Sequence, residues 1–551
     1  MMRLIGLIAV LLINGAALVA AQDSEFAIPP GVIPIFTEEA ALAGIEHQYV
    51  GPWEFFVGGG VAVLDCNGDR RPDLFLAGGA GGSGLYRNMS ATGGALRFGV
   101  VETTAIDPWL IDVLGAYPID IDGDDNVDLV LLRFGQNVLL RGDGNCGFSV
   151  ANELWAFDGG DDWTTSLSAI WETDSVYPTL AFGNYVDQNA PGSPWGTCAD
   201  NALYRPTGDD VPNYANRASL TPGYCALSML FTDWDNSGVP ALRITNDRQY
   251  YRGGEEQLWR IDSGQAPTLY TVADGWQHVS IWGMGIAEGD IDGDGFPEYA
   301  LTSMGDTKLQ QLEVAGGRDG PIYRDIAFER GATAHRPYIG DDSRPSTGWH
   351  SQFADVNNDT LLDLFIAKGN VEAMPEFAQF DPDNLLIGLW DGAFAEAGEA
   401  AGVALDRVGR GGAIVDLNLD GMLDLVVVNR NGPVSLFRNQ GAATEWGNAP
   451  MGNWLGIELV QSGTNVDAVG ARISVKIGAR VLNRTIQVGG GHASGQIGFT
   501  HIGLGTAERA EIRVRWPDGQ WSHSYRVFAN NFVQIERDSA DAQYWIPPEG
   551  N

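Results

Sequence analysis

The segment Asp416-Leu417-Asn418-Leu419-Asp420-Gly421-Met422-Leu423-Asp424 places oxygen-bearing side chains at positions 1, 3, 5 and 9, and an apolar run, Leu425 to Val428, follows at once. The spacing recurs in Asp65, Asn67, Asp69 and Asp73, and in Asp120, Asp122, Asp124 and Asp128. It recurs again in Asp290, Asp292, Asp294 and Glu298, and in Asp355, Asn357, Asp359 and Asp363. Calcium takes about 6–8 oxygen ligands at roughly 2.3–2.6 Å. Alternate residues of a curled loop point inward and supply three. The backbone carbonyl at position 7 and the carboxylate at position 9 can complete most of the shell. A single Asp-rich turn needs no metal. Five copies with the same flanks point to about five calcium sites.

The start of each copy is shared with the EF-hand, but that motif needs a Glu at position 12 and helices on both sides. Position 12 here holds apolar residues such as Leu76, Leu131 and Val427, inside strand-like runs. A calcium loop between two β-strands is the reading that fits.

The loops must be positioned by a repeat. They start at 65, 120, 290, 355 and 416, and two decayed copies fill the gap. Asp233-Trp234-Asp235-Asn236-Ser237 has Ala241 at position 9, and the segment around Asn184 keeps a strand and turn but few ligands. Seven units of roughly sixty residues, each with room for four strands, predict a seven-bladed β-propeller over 33–440. Leu85-Tyr86-Arg87-Asn88 and Leu436-Phe437-Arg438-Asn439 mark third strands. Phe36 to Gly44 matches the fourth-strand segment Phe394 to Gly402, so the N-terminal strand is expected to complete the last blade and close the ring. Glycines before strand one, such as Gly283, Gly285 and Gly411, fit a crowded centre.

The 551 residues carry a formal net charge of −38 with 73 glycines. Short β-branched and aromatic runs dominate, which predicts an all-β chain. The acidity opposes binding to nucleic acid or an anionic membrane. Residues 1–21 read as a signal peptide, with Arg3, an apolar stretch and small residues before Gln22. No later stretch could span a bilayer. An exported, secreted or cell-surface, monomeric protein is expected. The even count of Cys66, Cys146, Cys198 and Cys225 predicts two disulfides, with three pairings open. Cys198 with Cys225 is the simplest local choice and leaves Cys66 for Cys146.

A linker, 441–453, leads to a smaller β-unit, 454–537, and a tail, 538–551, expected to be disordered. The Asp-loop repeats resemble the FG-GAP/VCBS propeller repeats of integrin α-subunits and many exported bacterial proteins. Asn465 to Arg472, Gly489 to Ser494, His501 to Gly505 and Val514 to Gly519 resemble the ASPIC/UnbV domain. Together the pair resembles the cartilage acidic protein family, which implies an exported, calcium-binding, adhesion or matrix-type protein. The sequence departs from that pattern at units three and four, and at Ile502, where the family more often has Phe.

Two functions of different class follow. One is an extracellular binding module for a protein or glycan ligand. The other is a calcium-dependent, polysaccharide lyase-like enzyme, whose base would be His278 or His350 near the central channel. Gly489 to Gly495 lacks the lysine and helix of a phosphate loop and reads as a turn between strands. Ser494 beside His492 has no third member for a triad. Neither a Gly-x-Ser-x-Gly elbow nor a His-Glu-x-x-His helix is present. The balance favours binding without catalysis. Trp163, Trp171, Trp195 and Trp234 are expected as exposed aromatics around the degenerate units, and the expected contact surface is the loop face of units three and four, with Trp195, Trp234 and the segment from Cys198 to Cys225.

Overall fold

Apolar runs without alternation belong to strands covered on both faces. The runs after the Asp-rich loops behave so: Asp73–Leu76, Asp363–Lys368 and Asp424–Asn429 are buried throughout. The computed structural model describes residues 32–548 apart from 189, 191–196, 248–253, 314–319, 340–342 and 372–373. The chain is all-β and propeller-like, built of many small sheets. The expected leader and Trp195 lie outside the described residues.

Each loop joins the first two strands of a sheet. In unit one Val61–Leu64, Asp73–Leu76, Gly84–Asn88 and Phe98–Val100 pair antiparallel in sequence order. Unit six repeats this with Gly348–Ala354, Asp363–Lys368, Asn384–Gly388 and Phe394–Glu396. Leu64 faces Asp73, Ala354 faces Asp363 and Val415 faces Asp424. The ninth loop residue is therefore the first residue of strand two, which fixes the length of every hairpin. Gly409–Val415, Asp424–Asn429 and Ser435–Asn439 take their fourth strand from the start of the chain. There Phe36–Glu38 pairs with Ser435–Asn439, Phe36 opposite Asn439. A short helix, Ala40–Ala43, follows it, as Gly398–Ala401 follows Phe394–Glu396.

Unit three differs from the sequence reading. Asp162–Ile170 and Thr179–Asn184 are its first two strands, so the turn that corresponds to the loops is 171–178. Asn184 ends strand two rather than opening a loop. The carboxylates that set the phase elsewhere are missing, and a polar residue at a strand end took their place in the pattern.

After a hairpin of Ala442–Thr444 and Gly447–Ala449, the C-terminal unit forms two four-stranded sheets. Asn453–Val460 is central to one and Arg472–Ile477 to the other. Leu455, Ile457, Ile473, Val475, Ile512 and Val533 are among the residues that fill the space between them. The tail is not disordered at its start, because Gln543–Trp545 adds an edge strand to Asn531–Glu536. Trp545 anchors it, with ring centroids 5.4 Å from Phe499 and 5.6 Å from Phe532. The disulfides are Cys66–Cys146 and Cys198–Cys225. No helix among the described residues is long and apolar enough to cross a membrane.

Candidate functional site

In the seventh loop Asp416 accepts the backbone N–H of Asp420 at 3.0 Å and of Gly421 at 2.8 Å, and Asp420 accepts that of Met422 at 2.9 Å. Asp424 accepts the N–H of Leu417 at 2.9 Å and, from the third strand, that of Asn439 at 2.8 Å. This double acceptance recurs: Asp73 takes Cys66 and Asn88, Asp128 takes Ile121 and Gly142, and Asp363 takes Val356 and Gly388. Glu298 keeps the loop bond, from Ile291 at 2.9 Å. The ninth carboxylate thus ties loop, second strand and third strand together, a structural role that ligand spacing alone did not disclose.

The remaining positions converge. Carboxylate oxygens of Asp120, Asp122 and Asp128 lie within 4.8 Å of one another, as do those of Asp290, Asp292 and Asp294. Asn67, Asn357 and Asn418 each donate to the fifth-position carboxylate, at 3.1, 3.1 and 3.0 Å. Asp122 Oδ1, Asp290 Oδ1 and Asn418 Oδ1 are buried without a hydrogen-bond partner among the described residues. Burial first, and the neighbouring loop acids after it, push Asp73 and Asp120 up to about 7, Asp128 and Asp355 to about 8 and Glu298 to about 9. Asp363, Asp416 and Asp424 are held well above the ordinary carboxylate range for the same reasons. Buried, mutually repelling oxygen donors with unpaired lone pairs fit a hard divalent cation. Arg141, on the third strand, approaches Asp122 and Asp124 at 2.5 Å each and partly offsets the charge of the second loop.

The loop face is covered by the C-terminal unit. Glu458 pairs with Arg70 at 2.9 Å, and Thr464 packs on Gly123. Asn483 donates to Asp290 at 2.7 Å, His501 Nε2 lies 2.6 Å from Asn358 Oδ1, and Trp454 sits on Gly421. In the decayed fourth loop Arg515 stands 3.2 Å from Asp233, and Arg472 donates to Asn236 at 2.5 Å. There an arginine of the C-terminal unit serves as the cation. All five complete loops and the fourth decayed one therefore touch this unit.

Gly489 to Gly495 is not a simple turn. It belongs to a strap, residues 488–497, around which the first strands converge. Ala169 N donates to Val488 O at 3.1 Å, Gly490 N to Met229 O at 2.8 Å, Gly491 N to Ile286 O at 2.6 Å and Ala116 N to Ala493 O at 3.2 Å. Gly495–Gln496 pairs parallel with Val61–Leu64. His492 is fully buried; its N–H donates to His350 Nδ1 at 3.1 Å and its Nε2 accepts the N–H of Gly58 at 3.2 Å. Burial pushes His350 down to about 4 and His492 to about 3, so both imidazoles are neutral at pH 7. His278 is exposed and faces Glu255 at 3.1 Å. Trp163 and Trp234, expected to be exposed, are 2 % and 5 % exposed; each packs among other rings, Trp163 against Phe134 and Tyr185, Trp234 against Tyr270.

A propeller-like array with Asp-rich loops and a C-terminal cap is the class these features define. Residues 461–542 match the family model described as ASPIC and UnbV. The chain is similar to cartilage acidic protein 1 of Homo sapiens, 35% identical over 260 residues, which are 45% of this chain and 34% of that protein. The corresponding protein of Mus musculus is 27% identical over 260 residues, 45% of this chain and 35% of its own. The expected resemblance to the cartilage acidic proteins is thus borne out, and the chain spans about a third of the length of these relatives. Among solved structures, BBS1N in complex with ARL6DN gives a TM-score of 0.39 at 8% identity, covering 76% of this chain and 98% of that one. The extracellular domain of the putative hybrid two component system BT4673 from B. thetaiotaomicron gives 0.35 at 9% identity, covering 91% and 58%.

Proposed function

We propose that this chain is an exported, calcium-stabilised seven-bladed propeller that acts as an extracellular binding module and does not turn its ligand over. The observation that carries the reading is the buried, mutually repelling carboxylate set in five hairpin loops. Bound calcium would supply the positive charge these acids lack. Asp65, Asn67, Asp69 and Asp73, and their counterparts in the other four loops, would hold it. The pairing of Phe36–Glu38 with Ser435–Asn439 supports closure of the ring. Two disulfides and the resemblance to cartilage acidic proteins support an extracellular location. The lyase alternative draws no support from its histidines, because His350 is buried against the strap and His278 is an exposed residue paired with Glu255.

The test is a glycan and protein array probed with and without calcium, alongside acidic polysaccharides offered as substrates. Calcium-dependent capture without ultraviolet-absorbing unsaturated products is expected. Such products at catalytic protein concentrations would replace this reading with the lyase.

Calcium should also displace protons. Asp128 and Asp355, pushed to about 8, and Glu298, pushed to about 9, are largely protonated in metal-free protein at pH 6. The cation needs their ionised forms, so apparent affinity should rise with pH between 6 and 8. Titration calorimetry in buffers of different ionisation enthalpy reads the released protons directly. A pH-independent affinity with no proton release would contradict these shifts.

A further inference from the structure

Charge is unevenly placed along this chain. The whole carries −38, yet residues 454–537 hold nine Lys and Arg against six Asp and Glu. One sheet of the C-terminal unit collects most of that excess. Its strands lie in the order Arg480–Thr485, Arg472–Ile477, Arg509–Arg515 and Tyr525–Phe528. Side chains alternate between the two faces of a strand. Ile473, Val475, Ile512, Val514 and Val527 fill the core between the two sheets. Arg472, Lys476, Arg509, Arg513, Arg515 and Arg526 occupy the alternate positions and share the opposite face. Glu511 is the one carboxylate that these four strands place there, and it pairs with Arg526 at 2.9 Å.

The face has two ends. The near end is taken up by the propeller-like part, where Arg515 stands 3.2 Å from Asp233 and Arg472 donates to Asn236 at 2.5 Å. At the far end Lys476, Arg509 and Arg513 are exposed, and none of them forms an ion pair among the described residues. The arginines are accompanied by rings instead. The guanidinium carbon of Arg513 lies 4.9 Å from the ring centroid of Trp521, and that of Arg509 lies 5.0 Å from Phe528. Trp521 is 47% and Phe528 54% exposed. Stacking on a ring holds a guanidinium in place and leaves its N–H donors free for a ligand. This happens in a chain with 71 acidic residues to 33 basic ones, where a carboxylate is the commoner neighbour.

We propose that this face binds an extended anionic polysaccharide. Lys476, Arg509 and Arg513 take its sulfate or carboxylate groups, and Trp521 and Phe528 take the apolar faces of its sugar rings. The spacing selects the class. Arg509 and Arg513 are four residues apart on one strand, about 13–14 Å. Lys476 is a diagonal neighbour of Arg513 on the next strand, at about 7–8 Å. One strand of DNA carries a charge about every 3.4 Å, so most of its phosphates would meet uncharged sheet and the acidic remainder of the chain. A polysaccharide with a charge or two per repeat spaces its anions more widely and offers ring faces between them. The two disulfides also favour a compartment away from nucleic acid. This inference rests on the binding-module reading above and deepens it with a site and a ligand class.

The test titrates the full chain in calcium with a heparin hexasaccharide, which carries sulfates, and a hyaluronan hexasaccharide, which carries carboxylates alone. Neutral dextran, poly-glutamate and a single-stranded oligonucleotide are the comparisons. At least one of the two hexasaccharides should bind with a micromolar Kd that weakens steeply as salt rises from about 50 to 200 mM. Which of them binds distinguishes sulfate from carboxylate. Arg509→Gln combined with Arg513→Gln should weaken binding at least tenfold at an unchanged melting temperature, because both side chains are exposed. Glu511→Gln removes the acid from the face and frees Arg526, so it should tighten binding severalfold, which a merely structural face would not do. Arg324→Gln, on the exposed strand Tyr323–Asp325, should change nothing. Equal losses in Arg324→Gln and the double variant would overturn the site. Failure of both hexasaccharides would overturn the ligand class and leave a binding module for whatever an array captures. Poly-glutamate or the oligonucleotide binding as tightly would overturn the polysaccharide assignment. A dimer that the double variant dissociates would also overturn it, by assigning the face to a second copy. Cleavage of a bound saccharide would instead overturn the binding-module reading itself.

Discussion

Chelation of calcium is expected to lower the melting temperature by about 13–27 °C, and readdition should restore it. Anything bound by the native state alone stabilises it by about 2.7 kcal/mol at a hundredfold excess over Kd, so five filled loops would contribute about 13.5 kcal/mol. In a chain of this length each kcal/mol moves the transition by roughly 1–2 °C. The effect should exceed loop disorder, because the ninth carboxylate of four loops also anchors the third strand: Asp73 to Asn88, Asp128 to Gly142, Asp363 to Gly388 and Asp424 to Asn439. The C-terminal unit rests on the same loops through Glu458, Asn483 and His501. Chelation should therefore raise hydrogen exchange in that unit as well as in the loops. Elemental analysis that finds no calcium, or a melting temperature indifferent to chelator, would remove the central claim about these sites.

The loops, the order of strands within a unit and the return of the N-terminal strand were legible in the sequence, because each depends on residues at short, fixed spacing. The spacing of Asp65 to Asp73 declares a hairpin wherever it occurs, and Phe36 to Gly44 shares its pattern of residues with Phe394 to Gly402. Where the ligands have gone the phase goes too, so the third unit was read from Asn184 although its turn lies at 171–178. Burial of Trp163 and Trp234 was not legible, since a tryptophan near a polar turn looks the same in a core and on a surface. Long-range docking left the faintest trace. Gly489 to Gly495 is glycine-rich because several first strands approach it, and nothing nearby in the sequence names those partners.

That docking supplies the second large effect: Gly60→Ala should cost about 3 kcal/mol, at the upper end of what added core atoms usually cost. A Cβ at Gly60 would lie 1.8 Å from Ala493 O, and one at Gly115 would lie 2.4 Å from the same atom. Real Cβ contacts do not come so close, and the obstacle is backbone, which cannot swing aside as a side chain can. The strap is held from several sides at once: Ala116 bonds Ala493, Val61 N donates to Ser494 Oγ at 3.1 Å, and Ile497 N donates to Val63 O at 3.0 Å. Displacing it at Gly60 therefore loosens His492, whose ring accepts from Gly58 and packs 5.0 Å from Trp349. The expected result is a lower melting temperature together with faster hydrogen exchange at Gly489 to Gly495, while the calcium content is retained. Gly115→Ala should act in the same direction and less strongly, because its clash is less severe. If Gly60→Ala melts like the wild type and leaves the strap amides protected, then the strap does not lie against strand one as described. Loss of stability with the strap still protected would instead place the strain within the first unit and dissociate it from the docking of the C-terminal unit.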